Sequence, residues 1–590
     1  IRLIKEADKK GVKLLTFPEL CITGASLGSL FYNAALLKGV RCALDEIIKA
    51  TAYSDITVSV GAPLMLEGKL YNCAVIINSG NILAVVPSEK HSDIFAVNNG
   101  SLRCVTLLNE SVAFGSDIVF RHTNFENFSF CVAVGENAYS SCTATIKLNP
   151  VASAEAVGKA EKRRLLAKAS SLTDICGIVY ASCGEGESTT DEVFSGHLII
   201  SENGKLLCEN QPFDENGLLI SEIDVDMLSY ERSKNCDFYT SDHTTVYFDC
   251  KTEKTLLTRK VRENPFIPDN EEELNSRIKT ILSLQASGLA RRIEHTNSRT
   301  VVIGISGGLD STLALLVCAK AMDKIGRPHT DIIAVTLPCF GTTKRTKSNA
   351  VLLCEELGVT LREVNITDAV RQHFSDIGHS EAVTDATYEN SQARERTQVL
   401  MDIAGDCQGF VVGTGDISEL ALGWATYNGD HMSMYGVNGG IPKTLIRCIV
   451  KYVACLSNEK LSNVLYDILD TPVSPELLPI DDKGEISQKT EDLVGPYELH
   501  DFFLYYMCRY GFSPEKIYRL CVYALSHKYN EETIKKWLKI FMRRFFSQQF
   551  KRSCLPDGVK VGSVSLSPRG DWKMPSDALS TLWLREAENL

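Results

Sequence analysis

None of the 20 cysteines stands in a C-x-x-C spacing. That excludes the close-set ligands of a zinc ribbon and a thioredoxin-like redox pair. No apolar run approaches the roughly 18–20 residues needed to span a bilayer as a helix. There is no internal repeat and no low-complexity tract, which argues against a solenoid or a disordered tether. Basic residues are the minority: 62 Lys+Arg against 74 Asp+Glu leave a net charge of −12. Such a chain has no global attraction for nucleic acid or an anionic membrane, and neither is expected as a partner. An anionic ligand must be met by a local site. The chain also lacks an initiator Met. It opens on IRLIKEADKKGVK, a charged amphipathic pattern and not a signal peptide. Scattered cysteines in a chain this large read as reduced thiols, so a cytoplasmic protein is expected.

The 590 residues are 44% hydrophobic and 23% charged, enough for more than one ordinary globular domain. LLTF (14–17), DITVSVG (55–61), NCAVIIN (72–78) and GIVYAS (177–182) are short, apolar, strand-like runs. Residues 31–50 and 154–172 read as helices between them. GHLIISENGKLLCEN, starting at 196, reads as two strands about an Asn-Gly turn. This predicts an α/β domain over 1–225, a linker over 226–263 running into RENPFIPDNEEEL (262–274), and a second α/β domain over 264–590. In the second domain strand and helix alternate to about residue 455, and helical sequence dominates from 497 to 550.

The strand-like TVVIGI (300–305) runs directly into Ser306-Gly307-Gly308-Leu309-Asp310-Ser311 and then into an apolar helix. Strand, glycine turn and helix make a phosphate cradle, because glycines admit close approach and the helix start presents free N–H groups. The turn carries no Lys, so it is not the G-x-x-x-x-G-K-[ST] loop. Asp310 instead stands where a Mg²⁺ ligand could bridge phosphates.

This segment resembles the loop of ATP pyrophosphatases, which cleave ATP between the α- and β-phosphates. Further runs narrow the resemblance: PCFGTTKRTKSNA (338–350), YENSQARERTQVLMDIA (388–404) with Arg394 and Arg396, and GTGDISELALGWATYNGDHMSMYGVNGGIPKT (413–444). SQKTEDLVGPYELHDFFLYY (487–506) and the tail from 548 to 578 extend it. Together they resemble the synthetase domain of the glutamine-dependent NAD synthetases. The resemblance implies a doubly wound parallel sheet and adenylylation of nicotinic acid adenine dinucleotide (deamido-NAD) by ATP with Mg²⁺. It further implies that Gly304, Ile305, Ser306, Gly307, Gly308, Leu309, Asp310, Ser311 and Thr414 hold ATP. Asp310 and Glu419 would hold the metal. Asn390, Glu419, Trp424, Ala425, Thr426, Tyr427 and Lys551 would line the dinucleotide site. A homo-oligomer is expected.

FPELCITG (17–24), GKAEKRR (158–164) and EGESTTDEVFSGHLIISENG (185–204) resemble the nitrilase-like, α-β-β-α layered glutaminase domain of the same family. The family's first strand has no counterpart here, so a few tens of N-terminal residues are expected to be missing. A glutaminase of this kind needs a Glu base, a Lys for the oxyanion and a Cys nucleophile. By the resemblance Glu19 is the base, while Ser88 stands in the Lys place and Gly135 in the Cys place of AVGENAY (133–139). Ser153 and Lys159 fall on glutamine-binding positions. Lys90 lies near the Lys place, and Cys131 and Cys142 flank the Cys place. The expectation is an NAD synthetase supplied with ammonia, its glutaminase half inactive. The alternatives are a glutamine-hydrolysing enzyme with a displaced Cys, and a non-catalytic nucleotide-binding or regulatory subunit.

Overall fold

The computed structural model describes all residues except 99–101, 137–142, 215–216, 239–242, 342–343 and 472–493. Two compact units, Ile1–Arg259 and Lys260–Leu590, divide the chain. No helix among the described residues is long and apolar enough to cross a membrane.

In the first unit, strands β1 (Leu14–Thr16), β2 (Thr57–Leu66), β3 (Lys69–Asn78), β4 (Asn81–Pro87), β5 (Arg103–Leu107) and β6 (Glu110–Phe114) form one sheet. Its order is β1-β2-β3-β4-β6-β5. A second sheet holds β7 (Ile118–His122), β8 (Ser129–Val132), β9 (Ile146–Val151), β10 (Gly177–Ser182), β11 (Leu198–Glu202), β12 (Lys205–Glu209) and β13 (Thr244–Phe248). Its order is β12-β11-β10-β9-β8-β7-β13. The strand period of two sorts the side chains. Ala74 and Ile76 on β3 pack with Phe120, Phe130, Ile146 and Leu148 of the second sheet in an inter-sheet core. Cys73, Val75 and Ile77, one residue out of phase, pack with Ile4, Val40 and Leu44 of α1 (Arg2–Lys9) and α2 (Ala34–Thr51). On the far side Ala167 of α3 (Lys159–Thr173) packs on Val151, Tyr180 and Ile199. These are the four layers α-β-β-α. The expected Asn-Gly turn joins β11 to β12, with φ of 45° at Asn203 and 79° at Gly204. That pair of left-handed residues matches a hairpin turn to the twist of its strands.

The stretch read as a linker is not one over most of its length. Helix α4 (Val225–Lys234) lies in it, and β13 pairs in parallel with β7 at the edge of the second sheet. Arg232 fastens α4 to the sheet: its guanidinium donates to the carbonyls of Ile175 (2.9 Å), Thr143 (2.6 Å), Ala144 (2.6 Å) and Asp174 (3.0 Å). The polar composition that reads as a linker reflects an edge strand and a helix fixed by hydrogen bonds more than by apolar burial.

The second unit is built on β14 (Thr300–Gly304), β15 (Ile332–Thr336), β16 (Thr360–Glu363), β17 (Gly409–Gly413) and β18 (Tyr435–Gly436). The order is β16-β15-β14-β17-β18, with every pairing parallel. Parallel strands need crossovers, so helices cover both faces. One face takes α5 (Glu271–Thr296), α6 (Leu309–Lys324), α7 (Lys344–Leu357), α11 (Lys443–Leu456) and α12 (Glu459–Leu469). The other takes α8 (Thr367–Ile377) and α9 (Ala386–Asp406). The winding reverses between β14 and β17, and ligands of doubly wound sheets bind beyond the strand ends at that point.

Replacing Arg232 by Met should destabilise the first unit by about 2 kcal/mol, since four carbonyls lose a charged donor. Denaturant unfolding of the full chain measures this, and a change within about 0.5 kcal/mol, the range of an ordinary surface substitution, would show that α4 is held by other means.

Candidate active site: one lysine among three carboxylates

The loop after β14 reverses at Gly307, whose φ of 81° suits a residue without Cβ. Ser306 Oγ accepts from the Gly308 amide at 3.2 Å and lies 3.3 Å from Ser311 Oγ. Thr312 Oγ1 donates to the Gly308 carbonyl at 2.8 Å. These bonds draw the turn tightly onto the start of α6. Asp310 sits in the first turn of α6, with Oδ1 buried and accepting no hydrogen bond among the described residues.

Three carboxylates meet there. The end of β17 delivers Asp416, which caps α10 (Ile417–Leu422) by accepting from the Glu419 amide at 2.8 Å. Glu419 projects from that first turn. The ammonium of Lys443, the first residue of α11, lies 2.6 Å from Asp310 Oδ2, 2.6 Å from Asp416 Oδ2 and 2.9 Å from Glu419 Oε1. Asp416 is fully buried and Lys443 nearly so. Burial drives Asp416 well above the usual carboxylate range and Glu419 up to about 7, while Lys443 pulls both back. Burial opposes the charge on Lys443, yet Asp310, Asp416 and Glu419 hold its pKa well above the ordinary lysine value.

Asn438 ties the two strand ends together, donating from Nδ2 to the carbonyls of Asp310 (2.9 Å) and Thr414 (3.1 Å). Gln285 on α5 supports Asn438 and the Val437 carbonyl. At the far end of α10, Arg544 donates to the Leu422 carbonyl at 2.9 Å. The buried Arg552 donates to the carbonyls of Leu420 and Ala421. Cations at a helix C-terminus satisfy its orphan carbonyls and oppose its dipole. Glu419 therefore stands on a single turn and a half of helix that is fixed at both ends.

The other expected residues gather beyond that helix end. Lys551 donates to the carbonyls of Gly423 (2.8 Å) and Ala425 (2.7 Å), so its ammonium shapes the Trp424–Tyr427 segment. Thr426 Oγ1 donates to Asn390 Oδ1 at 2.8 Å. The ring of Tyr427 is half-exposed and stacks on His431 with centroids 5.1 Å apart. Arg544 lies over the Trp424 ring at 5.4 Å. Arg544 and His431 did not emerge from the sequence reading.

In the first unit the expected positions also converge. A Cβ placed on Gly135 would lie 3.7 Å from Ser88 Oγ and 4.0 Å from Lys90 Cβ, and Gly135 itself has φ of 105°. Glu19 is buried, accepting from Asn72 Nδ2 at 2.5 Å and from the Ala152 amide at 2.8 Å. Burial raises its pKa, while those bonds and the charge of Lys90 pull it down. Ser153 and Lys159 both turn to Glu136, at 2.8 and 3.4 Å. Cys131 is disulfide-bonded, against the expectation of reduced thiols throughout; the other described cysteines are not in disulfides. Cys142 lies outside the described residues, as do Asn137, Ala138 and Tyr139 of the AVGENAY run and residues 487–493 of the 487–506 motif.

Sequence comparison agrees with this division. Residues 281–537 match the family model described as NAD synthase, and residues 1–117 match that of carbon-nitrogen hydrolase. A glutamine-dependent NAD(+) synthetase of Mycobacterium leprae (strain TN) is 37% identical over 100% of this chain and 94% of its own length. That of Mycobacterium tuberculosis (strain ATCC 25618 / H37Rv) is 38% identical over 98% of this chain and 93% of its own. That of Aquifex aeolicus (strain VF5) is 25% identical over 98% and 95%. Two family models in this order, with relatives matched across both units, place the chain in the glutamine-dependent NAD(+) synthetase family of carbon-nitrogen ligases.

Proposed function

We propose that the second unit makes NAD from deamido-NAD, ATP and ammonia, releasing AMP and pyrophosphate, and that the first unit does not hydrolyse glutamine. The observation that carries the first part is the Lys443 centre at the mouth of the Gly-rich loop, at the reversal point of a parallel sheet. The deamido-NAD carboxylate oxygen attacks the α-phosphorus, and the bond to the β-phosphate oxygen breaks. Ammonia then attacks the acyl carbon, loses a proton and expels AMP. Backbone N–H groups of the 306–311 turn and the start of α6 face the leaving pyrophosphate. Lys443, whose ammonium lies 2.6 Å from Asp310 at that turn, counters charge as it builds on the phosphates.

Two of the three carboxylates fit Mg²⁺. Asp310 keeps a buried oxygen without a hydrogen bond, and Glu419 engages Lys443 through Oε1 alone among the described residues. Asp416 accepts from the Glu419 amide through Oδ1 and is ion-paired with Lys443 at 2.6 Å through Oδ2. Hard oxygen donors of this kind suit Mg²⁺, which when bound would supply further positive charge at the phosphates. The dinucleotide's heteroaromatic ring is assigned to the face formed by Trp424 and Tyr427, with Asn390 and Lys551 holding that segment in shape.

In the first unit Glu19 keeps its place, but Gly135 has no side chain with which to attack a carboxamide. Cys131 is tied up in its disulfide. Ser153 and Lys159, in the glutamine-binding positions, are satisfied by Glu136. Burial raises the Glu19 pKa and the charge of Lys90 lowers it, so a cation lies in that neighbourhood although Ser88 stands in the Lys place. The nucleophile is what is lacking, and the ammonia comes from solution or from another protein.

Incubation with ATP, Mg²⁺, deamido-NAD and ammonium should give NAD, AMP and pyrophosphate in equal amounts; ADP and phosphate as products would refute the adenylylation step. With glutamine as the only nitrogen donor, NAD formation should fall by roughly 10³-fold or more, the scale of losing a covalent nucleophile. A glutamine-mimicking electrophile should leave the first unit unlabelled and should label Gly135→Cys, slowly because that backbone is strained for a side chain. Glutamine-supported synthesis by the unmodified chain, lost on mutating Cys131 or Cys142, would establish a displaced nucleophile instead.

A further inference from the structure

One buried acid lies behind the Lys443 centre without touching it. Asp501, on α13 (Tyr497–Tyr510), is 1% exposed and forms no ion pair among the described residues. Its Oδ1 accepts from Ser418 Oγ. Its Oδ2 accepts from Thr444 Oγ1 at 2.7 Å and from the Thr444 amide at 3.1 Å. Ser418 Oγ in turn accepts from the Lys443 amide at 2.9 Å. Burial lifts the Asp501 carboxyl to about 6, and the Ser418 and Thr444 bonds draw it back.

The start of α11 explains why an acid is there. Pro442 occupies the cap position and supplies no side-chain acceptor, so the first amides of α11 are orphans. Asp501 takes the Thr444 amide directly and the Lys443 amide through Ser418. It acts as a cap brought from a distant segment, and its negative charge suits the positive end of the helix dipole. The same carboxylate fixes Ser418, the residue before Glu419. A neutral cap would satisfy the helix alone. One acid bonded to both α10 and α11 sets the spacing between them.

We propose that Asp501 is a positioning residue for the phosphate chemistry. It locks α10 to α11 so that Lys443 and Glu419 meet Asp310 at the Gly-rich turn. This rests on the ATP-dependent reading of the second unit, and the tests of the two are separable.

The test is ammonium-supported NAD formation by the full chain carrying Asp501→Ala, Asp501→Asn or Thr444→Val, alone and with Lys443→Met. Asp501→Ala should lower kcat roughly tenfold to a hundredfold, the scale of a lost hydrogen bond to a charged group. The KM for deamido-NAD should stay within about twofold, because the Trp424–Tyr427 segment is held by other residues. Asp501→Asn should recover part of the loss, since its amide oxygen still accepts from Thr444. In the Lys443→Met background Asp501→Ala should cost less than about twofold, because a residue acting through Lys443 is non-additive with it. Thr444→Val removes one hydroxyl donor and keeps its volume. It should lose kcat roughly threefold, and it carries the test if Asp501→Ala does not fold. Wild-type turnover in Asp501→Ala and Thr444→Val, an equal loss with and without Lys443, or a loss confined to the dinucleotide KM would overturn the proposal. Failure of the unmodified chain to make NAD would overturn the functional reading instead.

Discussion

A single ammonium shared by three carboxylates organises the second unit. Asp310, Asp416 and Glu419 offer oxygens within 4.8 Å of one another. Without Lys443 they would repel one another in a poorly solvated pocket, and protonation would relieve the strain. With it, that repulsion is offset in part, although burial still holds the Asp416 and Glu419 carboxyls above their usual range. That offset requires Lys443 to be held while Asp310 and Glu419 keep oxygens to spare. The surroundings follow from this. Asn438 joins the strand ends, Asp416 caps the helix bearing Glu419, and cations close the other end of that helix. Asp501 spaces it from the helix bearing Lys443.

The packing of the first unit does not depend on the residue in the expected nucleophile position. Its stability rests on the aromatic and aliphatic core between two sheets and on packed outer helices, none of which involves residue 135. A glycine at φ of 105° relieves strain there at no cost to packing. Glu19 has structural work as well: it joins the Asn72 side chain to the Ala152 amide across two parts of the unit. A buried Glu at this position therefore has a physical reason apart from catalysis.

The Gly-rich turn was legible in the sequence because everything that defines it is local: a buried strand, two glycines and an apolar helix in a dozen residues. Lys443 was not, because it lies 133 residues from Asp310 and reaches it only through the sheet's topology. Asp416 had a local sign that went unread. Asp416-Ile-Ser-Glu419 has the spacing of a capped helix start, which turns the first acid inward and frees the second. The α/β character of the first unit followed from alternation and the β11–β12 hairpin from an Asn-Gly turn, while the four layers were implied only by the family resemblance. The strand at Thr244–Phe248 escaped notice because its partner strand lies more than 120 residues earlier in the chain. The ammonium of Lys551 bonds carbonyls of the Trp424 segment, a detail that spacing alone does not carry.

The most direct measurement is exchange of labelled pyrophosphate into ATP, with deamido-NAD and Mg²⁺ present and ammonia and glutamine withheld. It isolates the adenylylation step from any nitrogen donor. The unmodified chain should catalyse exchange that depends on deamido-NAD. Lys443→Met should slow it on the order of 10²-fold or more, the scale of removing a charge that stabilises a transition state. Exchange in Lys443→Met at the unmodified rate would contradict the assignment of the shared ammonium as the organising charge of the site.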